Sequence, residues 1–160
     1  MSKKKSHQNR SVLPEYQMLP TGIWHMLTAV LLMVICLSLA VFLTSSLLSS
    51  WLNEHSLVYF ELGSIVILML ILATATFLVT RGRSVFHGFL IWFNRACLTT
   101  LLVGTLLAFL AGTYGVGLTG LVGITMASLA HQLYGSSKYR QGVEHYRKIW
   151  SYHRSVGSQK

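Results

Sequence analysis

Three long uncharged stretches dominate the chain. Ile23 to Asn53 is a run of 31 residues without Asp, Glu, Lys or Arg; Leu62 to Thr80 is another of 19, and Ala96 to Ser137 one of 42. A helix rises ~1.5 Å per residue and needs about 20 apolar residues to cross the hydrocarbon core. The first two runs each hold one span and the third holds two, so the pattern predicts an all-α, polytopic membrane protein with four transmembrane helices.

The first span is predicted from Ile23 to Leu48 and the second from Leu57 to Thr80. The first is longer than the roughly 7–15 residue apolar core of a signal peptide, and no small-x-small cleavage site follows it, so it reads as an uncleaved anchor. Gly112, Thr113, Tyr114, Gly115 and Gly117 crowd the middle of the third run and mark a tight turn between helices. The third span is therefore expected over 92–112 and the fourth over 116–134, with Arg95 snorkelling back to the headgroups. Residues 1–22 read as a basic leader, kept extended by Pro14 and Pro20, 23–134 as the transmembrane domain and 135–160 as a basic amphipathic tail.

Composition removes the competing classes. Of 160 residues, 52% are hydrophobic and 11% charged, against roughly 25% charged in a soluble domain. A soluble domain of this size could not bury so much apolar surface, and a disordered chain would not carry it. Cys36 and Cys97 are the only cysteines, too few for a disulfide scaffold, and read as small apolar residues.

The formal net charge of +9 is spread unevenly. Lys3, Lys4, Lys5 and Arg10 precede the first span; Arg81, Arg83 and Arg95 lie between the second and third; Lys138, Arg140, Arg147, Lys148, Arg154 and Lys160 follow the fourth. The other two loops carry no Lys or Arg. Four spans put all three basic segments on one face, and the positive-inside rule predicts that face, with both termini, to be cytoplasmic. A lysine-rich start and compact loops are bacterial in style, which points to a bacterial inner membrane.

Small residues recur four apart at Thr100, Gly104, Ala108 and Gly112, and at spacings of three and four at Gly120, Gly123, Ala127 and Ala130. Either spacing keeps them on one helix face, where backbones can approach closely. The expectation is packing of span three on span four, with contact to another subunit as the alternative. Gly115 to Gly120 satisfies G-x-G-x-x-G, but it lacks the preceding strand and the acid about 20 residues on that dinucleotide binding requires. It reads as a turn followed by a small-residue helix face.

Candidate chemistry is sparse. Glu54, His55 and Glu61 gather near the outer end of the first hairpin as a candidate polar site, with Glu61 expected about one turn inside the span and solvated. His25, His87 and His131 fall near the basic boundary and could converge, but no H-E-x-x-H or C-x-x-C pair accompanies them. No metal ligand or cofactor-binding residue is assigned. No G-x-S-x-G, Ser-Lys or Cys-His spacing supports nucleophilic catalysis. No Asp, Glu, Lys or Arg stands at the centre of any span, where an ion-coupled transporter would place a carboxylate.

Two segments are patterned for surfaces. Phe86, His87, Phe89, Leu90, Trp92 and Phe93 lie between Arg83 and Arg95, a composition suited to an in-plane helix at the headgroups. Tyr139, Val143, Tyr146, Trp150 and His153 recur at helical spacing in the tail, flanked by Lys138, Arg140, Arg147, Lys148 and Arg154. That amphipathic face is expected to contact anionic lipid headgroups or a groove on a partner. Basic charge without a binding fold argues against nucleic acid.

The resulting expectation is a small non-enzymatic accessory protein: a subunit, assembly factor, or immunity or exclusion factor acting through helix packing and basic segments. It would contact lipid and a membrane-protein partner or further copies of itself. A small oligomeric transporter or channel is the first alternative, and a membrane metal or haem protein the second.

Overall fold

The computed structural model describes residues 22–157, with side chains to residue 152. Expectations for Lys3, Lys4, Lys5, Arg10, Pro14, Pro20 and Lys160, and for the side chains of His153 and Arg154, lie outside the described residues. Five helices follow in order: α1 (Ile23–Leu48), α2 (Glu54–Thr80), α3 (Val85–Leu110), α4 (Tyr114–Gly135) and α5 (Ser137–Gly157). The first four are each long and apolar enough to cross a membrane. The chain is a four-span, all-α membrane protein with a fifth, amphipathic helix.

Short connections make the four spans run alternately up and down. The starts of α1 and α3 and the ends of α2 and α4 therefore share one end of the bundle, here called the basic end. Both turns on either side of α3 use the same device. After α2, the Gly82 amide bonds to the Val79 carbonyl and the Arg83 amide to that of Leu78; after α3, Gly112 bonds to Phe109 and Thr113 to Ala108. This is the Schellman pattern, which needs a left-handed residue just past the helix. Glycine supplies it at Gly82 (φ 79°) and Gly112 (φ 73°).

Helices α1, α3 and α4 pack against one another, and α2 packs on α1 and α3. The α2 helix is the least buried span, with Leu72, Ala75 and Val79 buried near its basic end. Its remaining faces present Val58, Leu62, Val66, Ile67 and Leu70 outward, as a helix wetted by lipid does. Several hydroxyls in the spans are satisfied within their own helices: Thr28, Ser38, Thr44, Thr119 and Ser128 each donate to the carbonyl four residues back. Lipid offers no partner for them, so this local closure lets polar residues enter the bilayer.

The close approach of α4 rests on glycine, but not as the small-residue pattern alone predicts. Leu43 of α1, 1% exposed, projects into the space left by both Gly104 of α3 and Gly120 of α4. A Cβ on Gly104 would collide with Leu43, and one on Gly120 with Thr105 and Leu43. One on Gly123 would meet Leu101 at 2.9 Å and Leu39 at 3.6 Å. The α4 stripe thus serves α1 and α3 together, and Gly104 faces α1. Ala108 and Ala127 are buried, whereas Thr100 is exposed and Gly112 belongs to the turn.

Span three differs most from expectation. The helix is continuous from Val85, so the aromatic segment is its first turns and not a separate in-plane helix. Neighbouring residues separate by face: Asn94 is fully buried and donates to the Ala127 carbonyl at 3.3 Å, while Arg95 is exposed. Arg95 lies about 15 Å along the helix axis from Val85. Span two starts three residues earlier than the hydropathy pattern gives, at Glu54, and span four two earlier, at Tyr114.

Candidate functional site

The most elaborated region is the basic end, where α5 lies across the bundle. Ser136, extended at φ −67° and ψ 147°, breaks α4 from α5, and its hydroxyl accepts from the Tyr139 amide. That bond satisfies one of the amides left open in the first turn of a helix. The chain can then bend under the bundle and carry the apolar stripe of the tail to the ends of the spans.

Tyr139 is fully buried there. Its ring stacks on His87 of α3 at 5.1 Å and meets Tyr134 of α4 edge-on at 5.2 Å. Burial pushes the Tyr139 hydroxyl above the ordinary tyrosine range, so it stays neutral. One turn on, Gly142 and Val143 are buried; a Cβ on Gly142 would lie 3.1 Å from the Met26 sulfur. A Cβ on Gly22, at the head of α1, would collide with the Lys138 carbonyl. At the far side, the Trp150 indole N–H donates to the Thr80 carbonyl at 2.9 Å. The Arg81 guanidinium lies 4.9 Å from the Phe77 ring and 5.2 Å from that of Trp150.

The stripe predicted to seek lipid or a partner therefore covers the chain's own bundle. Tyr146 and Trp150 are half-buried against it. The other side of α5 carries Lys138, Arg140, Gln141, Glu144, Arg147 and Lys148, all exposed. Among the described residues at this end Glu144 is the only carboxylate, since Glu54 and Glu61 sit at the opposite end.

The polar candidates of the first hairpin do not form one cluster. Glu54 and His55 are exposed, while Glu61, half-buried about two turns inside α2, accepts a hydrogen bond from the buried hydroxyl of Ser45. The earlier start of α2 is what places Glu61 deeper than expected. Among the described residues no three His, Cys, Asp or Glu side chains group as a metal site, so His25, His87 and His131 do not converge on one ion. His87 instead belongs to the aromatic contact with Tyr139. Cys36 and Cys97 are buried and unpaired with each other.

Sequence reasoning missed Ser45, Leu43 and Thr105, which carry no pattern of their own. It also missed Asn94, the one strongly polar residue on an otherwise apolar face of α3. Comparison with protein families, with curated proteins and with solved structures finds no match for this chain.

Proposed function

We propose that the chain is a small, non-enzymatic accessory protein of the bacterial inner membrane, with both termini in the cytoplasm and a cytoplasmic docking face on α5. The observation that carries this reading is the division of labour on α5. Its apolar side is used within the fold, and its basic side is left facing outward. A helix laid across the ends of four spans points its outer side away from the bilayer, toward the aqueous phase. Lys138, Arg140, Arg147 and Lys148 then suit an acidic surface on a membrane-associated protein partner, which they steer and orient. The positive-inside rule supplies the orientation. Glu61, held by Ser45, fits a structural role better than a place in an ion path.

Crosslinking in cells tests this. A photoreactive residue at position 141 or 148 should capture one defined membrane-protein partner, and reversing charge at Arg140 and Lys148 should abolish the capture. A chain that purifies alone and monodisperse, with crosslinks only to lipid, would contradict the accessory reading.

A further inference from the structure

The corner where the α2–α3 turn meets α5 has features that a protein-docking face does not need. Arg81 and Arg83 flank Gly82, and Gly82 lies directly against α5. A Cβ there would fall 3.1 Å from the Trp150 Cβ and 3.2 Å from the Arg147 Cα. Three exposed arginines thus surround one turn. The Arg81 guanidinium carbon lies within about 5 Å of both the Phe77 and Trp150 ring centroids, so two rings hold this exposed cation beside the turn. The N–H edge of a guanidinium matches two oxygens of a phosphate group.

Phe77 connects this corner to a groove. Two adjoining clefts of about 460 Å³ each run between α1 and α2 and share Val30, Val34, Thr76 and Thr80. Their walls are almost wholly apolar, and Tyr146 of α5 lines the cleft nearer the basic end. From Met69 to Thr80 the groove extends about 16 Å along α2, roughly half of a ~30 Å hydrocarbon core. It therefore spans the depth of one leaflet and stops where the arginines begin.

We propose that this corner and groove bind one anionic phospholipid, with its phosphate at Arg81, Arg83 and Arg147 and an acyl chain between α1 and α2. The site rests on the four-span fold; it shares Arg147 with the docking face of α5, whereas Arg81, Arg83 and the groove lie outside that face. The shared chemistry is a phosphate; the apolar groove commits the site to a lipid and not to a soluble anion.

The test uses the full chain in mild detergent, offered equal amounts of dioleoyl phosphatidylglycerol and dioleoyl phosphatidylcholine, with bound lipid read by native mass spectrometry. Phosphatidylglycerol should be retained about tenfold over phosphatidylcholine. Arg81→Gln should reduce that preference about fivefold, as expected for one cation at an anionic headgroup. Lys148→Gln, on the outer side of α5, should leave it unchanged. Ala73→Phe, which fills the groove, should lower retention of both lipids. Inorganic phosphate should protect the chain from heat no better than chloride does. Equal retention of the two lipids would overturn the proposal, as would an unchanged preference in the Arg81→Gln/Arg83→Gln/Arg147→Gln chain. Protection by phosphate equal to that by phosphatidylglycerol would assign the corner to a soluble anion and overturn it as well.

Discussion

The indole nitrogen of Trp150, in the tail helix, donates to the backbone carbonyl of Thr80, the last residue of α2, at 2.9 Å. Helix ends leave carbonyls without partners, and such a group at the boundary of a bilayer is costly to leave unmade. The bond joins residues 70 positions apart and makes α5 part of the fold. Trp150→Phe should lose the bond and keep the ring, costing about 1 kcal/mol. Trp150→Ala should cost roughly 2–3 kcal/mol, since the ring is half-buried. Thermal unfolding in mild detergent reads both, and limited proteolysis should cut the tail of the alanine variant first.

The seat of Leu43 between Gly104 and Gly120 gives a sharper packing test. Gly104→Ala should destabilise the chain by about 1–3 kcal/mol, because its new methyl meets Leu43. In a Leu43→Ala background the same change should be close to neutral. Gly120→Ala should remain costly there, because Thr105 still occupies the space. A double-mutant cycle on thermal stability separates the two cases.

Glu61 provides the discriminating test between accessory protein and transporter. Glu61→Gln keeps an acceptor for the Ser45 hydroxyl, so stability should change by less than about 1 kcal/mol. Glu61→Ala should cost about 1–2 kcal/mol by leaving that buried hydroxyl with only the weaker Phe42 carbonyl at 3.3 Å. Function in cells should survive Glu61→Gln. Ion flux that wild-type protein supports in vesicles and Glu61→Gln abolishes would refute the accessory reading.

Orientation is tested by labelling. In a background lacking Cys36 and Cys97, single cysteines at Ser50 and Thr113 should react with a membrane-impermeant reagent in intact cells whose outer membrane has been permeabilised. Cysteines at Ser84 and Lys148 should react only after lysis. The reverse pattern would invert the assignment made from the basic residues.

Much of this architecture is legible in the sequence because hydropathy counts residues along the chain. The first span, Ile23–Leu48, coincides with its helix, and the glycine-rich turn falls at Gly112 as expected. Counting does not see faces. It gives Asn94 and Arg95 as successive polar residues, and the helix exposes Arg95 while turning Asn94 inward. The period of Tyr139, Val143, Tyr146 and Trp150 reveals an apolar stripe, but a stripe does not state what covers it. Its cover here is the ends of the spans, assembled from Met26, His87, Tyr134 and Thr80, which are remote in sequence. The small-residue pattern likewise finds Gly104 and Gly120 but not Leu43, because a leucine among leucines carries no signal.

Closure of the basic end of the bundle by α5, with its apolar side inward, can be read from a single crosslink. The Met26 Cγ lies 3.8 Å from where a Cβ on residue 142 would stand, so Met26→Cys and Gly142→Cys are within reach of disulfide geometry. In a chain with Cys36 and Cys97 replaced by alanine, mild oxidation should join the pair within one molecule, seen as a faster-migrating, reductant-sensitive monomer. A tail that instead lies free on the membrane or on a partner would leave both thiols open to alkylation or give only crosslinks between molecules.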